Sequence, residues 1–262
     1  MQGKEDLYVI GFPKSGNTWL ARLLSDITNS NIDVKMENDL INSSENSEEK
    51  TGKYLIHKIH IANDLERVLK SKKVYIVRDV RASMVSGFFH GHRLFQDKNV
   101  NDNILLNILF HYEILKLNKK WQGSFLARIQ HIPFLIIEKL FKINRQTVGN
   151  WSEHVEFWTK QQDIVVVRYE DLLENTFIEL KRILDELDIV YKSEELNQVV
   201  EKQSFSTKKK EFLKKGDTKN AEFLRSGTKE SWRELLTPKL QKKIEYTHKD
   251  MMDKFGYKIE TI

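Results

Sequence analysis

The sequence contains no cysteine. A disulfide framework and thiolate chemistry are therefore excluded. It holds no apolar run near the ~18–20 residues that a membrane span needs, and no long apolar stretch precedes the first strand, so neither a span nor a signal peptide is expected. A strong charge of one sign is missing as well. Lys and Arg number 43 against 38 Asp and Glu, a net charge of +5. That suits an anionic ligand and is too mild to point to nucleic acid by itself. What remains is a chain of 262 residues, 40% hydrophobic. This length is enough for one α/β domain with a sizeable core. A soluble, cytoplasmic chain is the expectation, and oligomeric state is not legible.

The chain is organised around Tyr8-Val-Ile-Gly-Phe-Pro-Lys-Ser-Gly-Asn-Thr-Trp19. Leu7 to Ile10 is a short, β-branched apolar run and reads as a buried strand. Pro13 and Gly16 break it. From Thr18 the apolar residues take helical spacing, with Leu20, Leu23 and Leu24 on one face. A strand, tight loop and helix of this kind aims backbone N–H groups and a helix N-terminus at one point, which makes an anion site. Lys14 adds a mobile positive charge, and Ser15 and Thr18 add hydroxyl donors. Trp19 offers a ring face to a purine. The order of residues differs from the nucleoside-triphosphate loop Gly-x4-Gly-Lys-Ser/Thr, because Lys14 precedes Ser15-Gly16 and Asn17 follows the glycine. No carboxylate cluster suited to Mg²⁺ stands beside this loop, so no metal requirement is expected.

Other candidates follow in order. Residues 29–52 are polar and read as a surface loop. Tyr54 to His60 alternates as a strand, putting Lys58 and His60 on one face and His57 on the other. A cation beside a base that titrates near neutral pH suits proton abstraction. Lys73 to Val77 is a third strand, with Arg78 at its end, Asp79 as a helix N-cap and Ser86 two turns on. A fork-shaped Arg with a hydroxyl makes a phosphate clamp. Residues 91–148 have helical stripes (Leu105, Ile108, Leu109, Tyr112, Leu115) and a break at Pro133. They read as helices packed on the core, as a lid or wall of an apolar acceptor pocket to which Phe88, Phe89, His90 and His92 contribute, or as a contact with a membrane surface. Trp151 and Trp158 share a helical face as core or pocket wall. Ile164 to Val167 is an uninterrupted buried parallel strand. Helices are expected over 174–187, 193–202 and 238–253, and Lys208–Lys210 with Lys214 and Lys215 form a basic face.

Four of these segments together resemble the PAPS-dependent sulfotransferases of the cytosolic type. Phe12-Pro-Lys-Ser-Gly-Asn-Thr-Trp19 is similar to their phosphosulfate loop, with Phe12 for Tyr and Asn17 for Thr. Lys58-Ile59-His60 is similar to the segment that supplies their base. Arg78 with Ser86 matches the spacing of their 3′-phosphate clamp. Phe223-Leu-Arg-Ser-Gly-Thr-Lys-Glu-Ser-Trp232 resembles the loop that closes over that phosphate, with Ser226 for Lys and Glu230 where a second Gly usually stands. Gly149 to Trp158 and Tyr169-Glu-Asp-Leu172 also have counterparts.

The resemblance implies a three-layer α/β domain over 1–262 with a central parallel sheet, a P-loop-like strand-loop-helix and a variable acceptor-side helical segment at about 91–148. It implies 3′-phosphoadenosine 5′-phosphosulfate (PAPS) as donor, 3′,5′-adenosine bisphosphate (PAP) as product, and a small acceptor bearing a hydroxyl or amine. His60 would be the base, and Lys14 and Lys58 would offset charge on the leaving phosphate. Ser15, Gly16, Asn17, Thr18 and Trp19 would line the donor loop. Arg78, Ser86, Arg225, Ser226 and Gly227 would hold the 3′-phosphate. Trp19, Tyr169 and Phe205 would sandwich the adenine. Two other classes stay open: a nucleotide kinase or NTPase, and a non-catalytic module binding anions or nucleic acid.

Overall fold

The computed structural model describes residues 4–33, 50–60, 62–87, 150–218, 221, 230, 232–234 and 236–260. The acceptor-side segment at 91–148, residues 88–90, and Arg225, Ser226 and Gly227 lie outside the described residues. The chain divides into two compact units, Met1–Arg78 with Trp158–Gly227, and Asp79–Phe157 with Thr228–Ile262.

The first unit is built on five parallel strands in the order β2-β3-β1-β4-β5. They are β1 (Glu5–Gly11), β2 (Asn31–Ile32), β3 (Tyr54–Ile59), β4 (Lys72–Val77) and β5 (Ile164–Arg168). The expected strands are all present. β2 is an addition, a two-residue strand inside the stretch read as loop; its polar Asn31 and short length hide it from any periodicity argument. Strand register puts Leu7, Val9, Ile56, Val74, Ile76, Val165 and Val167 on one face. That face packs on α1 (Asn17–Ile27), α6 (Thr176–Glu186) and α7 (Ser193–Lys202), whose Leu20, Leu23, Leu24, Leu180, Ile183, Leu184 and Leu196 are fully buried. Each such side chain contributes about 1.5–3 kcal/mol of transfer free energy. On the opposite face lies α2 (Leu65–Lys70). The buried Lys73 of β4 donates from Nζ to the Leu69 carbonyl at 2.9 Å, closing the end of that helix. The result is the helix–sheet–helix layering that the sequence predicts. α5 (Tyr169–Glu174) and α8 (Phe205–Lys214) complete the unit. Neither is expected from periodicity: α5 is under two turns long, and α8 is rich in lysine.

The second unit holds α3 over residues 80–87, most of α4 (Trp151–Thr159) and α9 (Pro238–Lys254). Asp79 caps α3 as expected, its Oδ1 accepting from the Arg81 amide at 2.8 Å. Arg81 is 3% exposed and is clamped by Asp79 (Nη2–Oδ2 2.7 Å) and Glu245 of α9 (Nη1–Oε1 2.5 Å), with Trp232 stacked 3.9 Å from its guanidinium carbon. Trp151 of α4 is buried against the edges of His248 and Tyr257. Ser86 is half-buried on α3.

Candidate active site

In the first unit, β1 lies between β3 and β4, so the chain leaves the sheet centre in opposite directions and opens a crevice at the carboxyl ends of the strands. Open α/β sheets bind ligands there. The loop after β1, the residue after β3 and the residue after β4 all stand at that edge, and they carry Lys14, His60 and Arg78.

The loop itself is shaped for an anion. Lys14 and Gly16 both take left-handed backbone conformations, φ 69° and 103°. A lysine in this region is uncommon and is held by its surroundings. Gly16 is the N-cap of α1; no side chain caps the helix and no acidic residue stands in its first turn. The helix N-terminus therefore keeps its amide donors and partial positive charge for a ligand. Ser15 is fully buried, and its Oγ meets no hydrogen-bond partner among the described residues. An orphaned hydroxyl beside bare helix amides fits a phosphate-type oxygen.

Three side chains converge on this loop. Lys58, 6% exposed, reaches from β3 to donate to Thr18 Oγ1 at 3.3 Å. This sets an ammonium at the first turn of α1. His60 Nδ1 lies 2.7 Å from the Gly11 carbonyl. A carbonyl only accepts, so Nδ1 carries the proton and Nε2 is the basic nitrogen. Arg78 Nη1 donates to the Lys14 carbonyl at 3.0 Å, and its guanidinium lies 4.2 Å from the centre of the Tyr169 ring.

Asn17 does not face the loop. Its Nδ2 turns back to the carbonyls of Gly11 (3.2 Å) and Ile59 (3.4 Å), tying the ends of β1 and β3. Only its backbone amide is left for an anion. The aromatic residues expected to sandwich a purine meet one another instead. Trp19 touches Tyr169 and Phe205 edge to face, with ring centres 5.9 and 5.4 Å apart. Two rings stacked on a base between them would need about 7 Å and parallel planes. Neither pair has that spacing or parallel alignment. Burial pushes the Tyr169 phenol up, with Arg78 partly opposing, so it stays neutral.

His57 lies on the far face, as the strand alternation predicts, with Nε2 2.7 Å from Asp6 and Nδ1 3.2 Å from Asp33. Sequence reasoning missed two contributors. The Gln203 carbonyl accepts from Trp19 Nε1 at 3.0 Å, and Gln203 Nε2 donates to Asp26 at 2.6 Å. These partners are 184 and 177 residues apart, and no local pattern signals such pairs; the only hint is that a buried indole N–H needs an acceptor. Of the expected basic face, Lys208 on α8 and Lys215 just after it are paired with Glu211 at 2.9 Å. Among the described residues, no group of three or more His, Cys, Asp or Glu could hold a metal ion, and no helix is long and apolar enough to cross a membrane.

A family model described as a sulfotransferase domain matches residues 4–256. "Sulfotransferase 1 family member D1" of Mus musculus is 22% identical, over 95% of this chain and 84% of the relative. The "3-alpha-hydroxysteroid sulfotransferase" of Cavia porcellus is 25% identical, over 89% of this chain and 78% of the relative. Among solved structures, mouse sulfotransferase SULT7A1 complexed with PAP aligns with a TM-score of 0.59 at 18% identity, covering 95% of this chain and 84% of that one. Retinol dehydratase in complex with androsterone and PAP aligns with a TM-score of 0.56 at 19% identity, covering 94% and 80%.

Proposed function

The chain belongs to the sulfotransferase family, and on that footing we propose that it moves the sulfuryl group of PAPS to the hydroxyl or amine of a small, apolar acceptor, working in the cytoplasm as a cytosolic-type enzyme. The observation that carries this reading is the uncapped, left-handed loop at the start of α1, with Lys58 bound to its Thr18 hydroxyl. The donor supplies an activated sulfuryl group on a phosphate leaving group; the protein's part is to hold it, neutralise charge and take a proton.

In the transfer, the acceptor oxygen or nitrogen forms a bond to sulfur as the sulfur–oxygen bond to the phosphate breaks. His60 Nε2 takes the acceptor proton. The Nδ1–H bond to the Gly11 carbonyl supports that role, because it fixes the ring and leaves the basic nitrogen on the other side. Lys14 and Lys58 balance the charge that grows on the leaving phosphate oxygen. Ser15, the loop amides of Gly16 and Asn17, and Thr18 hold the 5′-phosphate. Arg78, Ser86, Arg225, Ser226 and Gly227 hold the 3′-phosphate. Trp19, Tyr169 and Phe205 form the wall for adenine. An apolar alcohol or phenol as acceptor is favoured by the steroid and androsterone named for the relatives.

Calorimetry with PAP, 5′-AMP and ATP, without Mg²⁺, tests the reading. PAP is expected to bind most tightly, and Arg78→Ala is expected to lose most of that preference. Preference for ATP would overturn the assignment. A sulfuryl-transfer screen over steroid, phenol and amine acceptors then identifies the second substrate.

A further inference from the structure

Asn17 is the first residue of α1, yet its side chain serves the strands. It is 3% exposed. Its Nδ2 donates to the Gly11 carbonyl at 3.2 Å and to the Ile59 carbonyl at 3.4 Å. An amide NH2 carries two hydrogens and a carbonyl oxygen two lone pairs, so both bonds can form and Gly11 can accept a second donor. That second donor is His60, whose Nδ1 lies 2.7 Å from the same Gly11 oxygen. Ile59 directly precedes His60, and its carbonyl belongs to the peptide plane from which His60 starts. Asn17 therefore holds both the oxygen that binds the ring and the plane that carries it.

Two further observations set this amide apart from ordinary packing. Gly11 leaves the space for it: a Cβ there would lie 2.8 Å from Asn17 Oδ1 and 2.7 Å from the Ile76 carbonyl. Asn17 Oδ1 is itself buried and meets no hydrogen-bond partner among the described residues. A buried acceptor left without a donor lowers stability. What the amide contributes is thus its two donated bonds. A threonine, the usual residue in the similar loops, has one O–H and could not serve both carbonyls.

We propose that Asn17 is a positioning residue for His60: by holding the Gly11 and Ile59 carbonyls, its side-chain amide keeps the ring in the orientation and tautomer that leave Nε2 basic. The inference rests on the reading above that His60 takes the acceptor's proton. The backbone amide of the same residue stands in the anion loop, so one residue sets the base and the phosphate end of the donor relative to each other. Such spacing matters because a misplacement of about 1 Å can cost about 10²-fold in rate.

The first test is nitrogen-15 NMR of the histidine rings, with His60→Ala identifying the His60 signal. The neutral ring of wild type is expected to be almost wholly the Nδ1–H form. In Asn17→Ala the Nε2–H form is expected to appear beside it; an unchanged signal overturns the proposal. Sulfuryl transfer to phenol, steroid and amine acceptors is then followed in wild type, both single variants and the double variant, beside PAP calorimetry. Asn17→Ala alone is expected to lower kcat by roughly 10–100-fold, with a smaller loss of PAP affinity. In the His60→Ala background the same change should lower the rate by less than about 2-fold, because the group it positions is gone. Equal loss in both backgrounds would mean that Asn17 only braces the fold, and would overturn the proposal. His60→Ala at full rate would instead overturn the reading of His60 as the base, and the inference with it. Should Asn17→Ala fail to fold, Asn17→Ser carries the test. Its single O–H serves at most one of the two carbonyls, so mixed tautomers are expected there as well; the wild-type tautomer in Asn17→Ser overturns the proposal.

Discussion

His60 Nδ1 is held by a hydrogen bond whose partner can only accept. That bond decides which nitrogen is basic, and it also locates the ring beside the loop, because Gly11 ends β1 and His60 follows β3. His60→Ala is expected to lower the rate of sulfuryl transfer by about 10²–10⁴-fold, the usual contribution of a positioned general base. PAP affinity should stay within a few-fold of wild type, since the base is assigned to the acceptor's proton; a calorimetric titration beside a rate assay checks both halves. Equal loss of binding and rate would mean that the ring only braces the loop. His60 was legible as a residue because strand alternation pairs it with Lys58 on one face. The tautomer was not, because the Gly11 carbonyl lies 49 residues away and nothing in the alternation names it.

Among elements, α1 joins most of the site. Its N-terminus faces the anion loop, its Thr18 meets Lys58, and near its C-terminus Asp26 is bound by Lys50 (2.7 Å), Gln203 (2.6 Å) and Lys202 (3.0 Å). Gln203 then holds Trp19 of the same helix through its carbonyl. The strand, the turn residues and the helical face of α1 could all be read from Leu7 to Leu24, because each is a local property. What could not be read is how the loop is braced. Asn17 looks like a loop donor in sequence, yet its side chain is 3% exposed and spans two strand ends. Asn17→Ala is expected to destabilise the protein by about 1–3 kcal/mol by leaving two strand-end carbonyls short of a donor, measured by denaturant unfolding. Gly16→Ala combines a left-handed backbone with a clash on Tyr169. It should reduce PAP binding by more than about 10-fold while the unfolding midpoint moves less than in Asn17→Ala, because the strain falls on a functional turn.

At the scale of the molecule, the carboxylates that are clearly displaced among the described residues share one direction, downward. Burial raises Asp6 and Asp26, but hydrogen bonds from Arg67 and His57 to the first, and from Lys50 and Gln203 to the second, outweigh it and hold both below the ordinary 3.8. Lys208 and Lys215 bring Glu211 down to about 2. In the second unit, Arg233 lowers Glu230 and Glu260. A carboxyl with a depressed folded pKa takes up protons more readily when unfolded, so its contribution is complete above its unfolded value and is lost as pH falls towards the folded one. The protein should therefore hold its melting temperature from neutral pH down to about 5 and lose it progressively below, with no comparable loss from these groups on the alkaline side. The exposed pairs will be screened by solvent and salt and contribute little. Asp26, with its side chain 10% exposed and three donors around it, should carry a visible share. Asp26→Asn keeps the shape and removes the charge. It should melt below wild type at pH 7, and the gap should narrow as pH falls below 3.8, because the unfolded wild-type carboxyl then takes up a proton while the folded one, held lower, follows only further down. A gap that stays constant with pH would mean that Asp26 acts through hydrogen bonding alone. A gap that closes would show that the helix carrying the anion loop is anchored at its far end by a charge, and that acid releases it there.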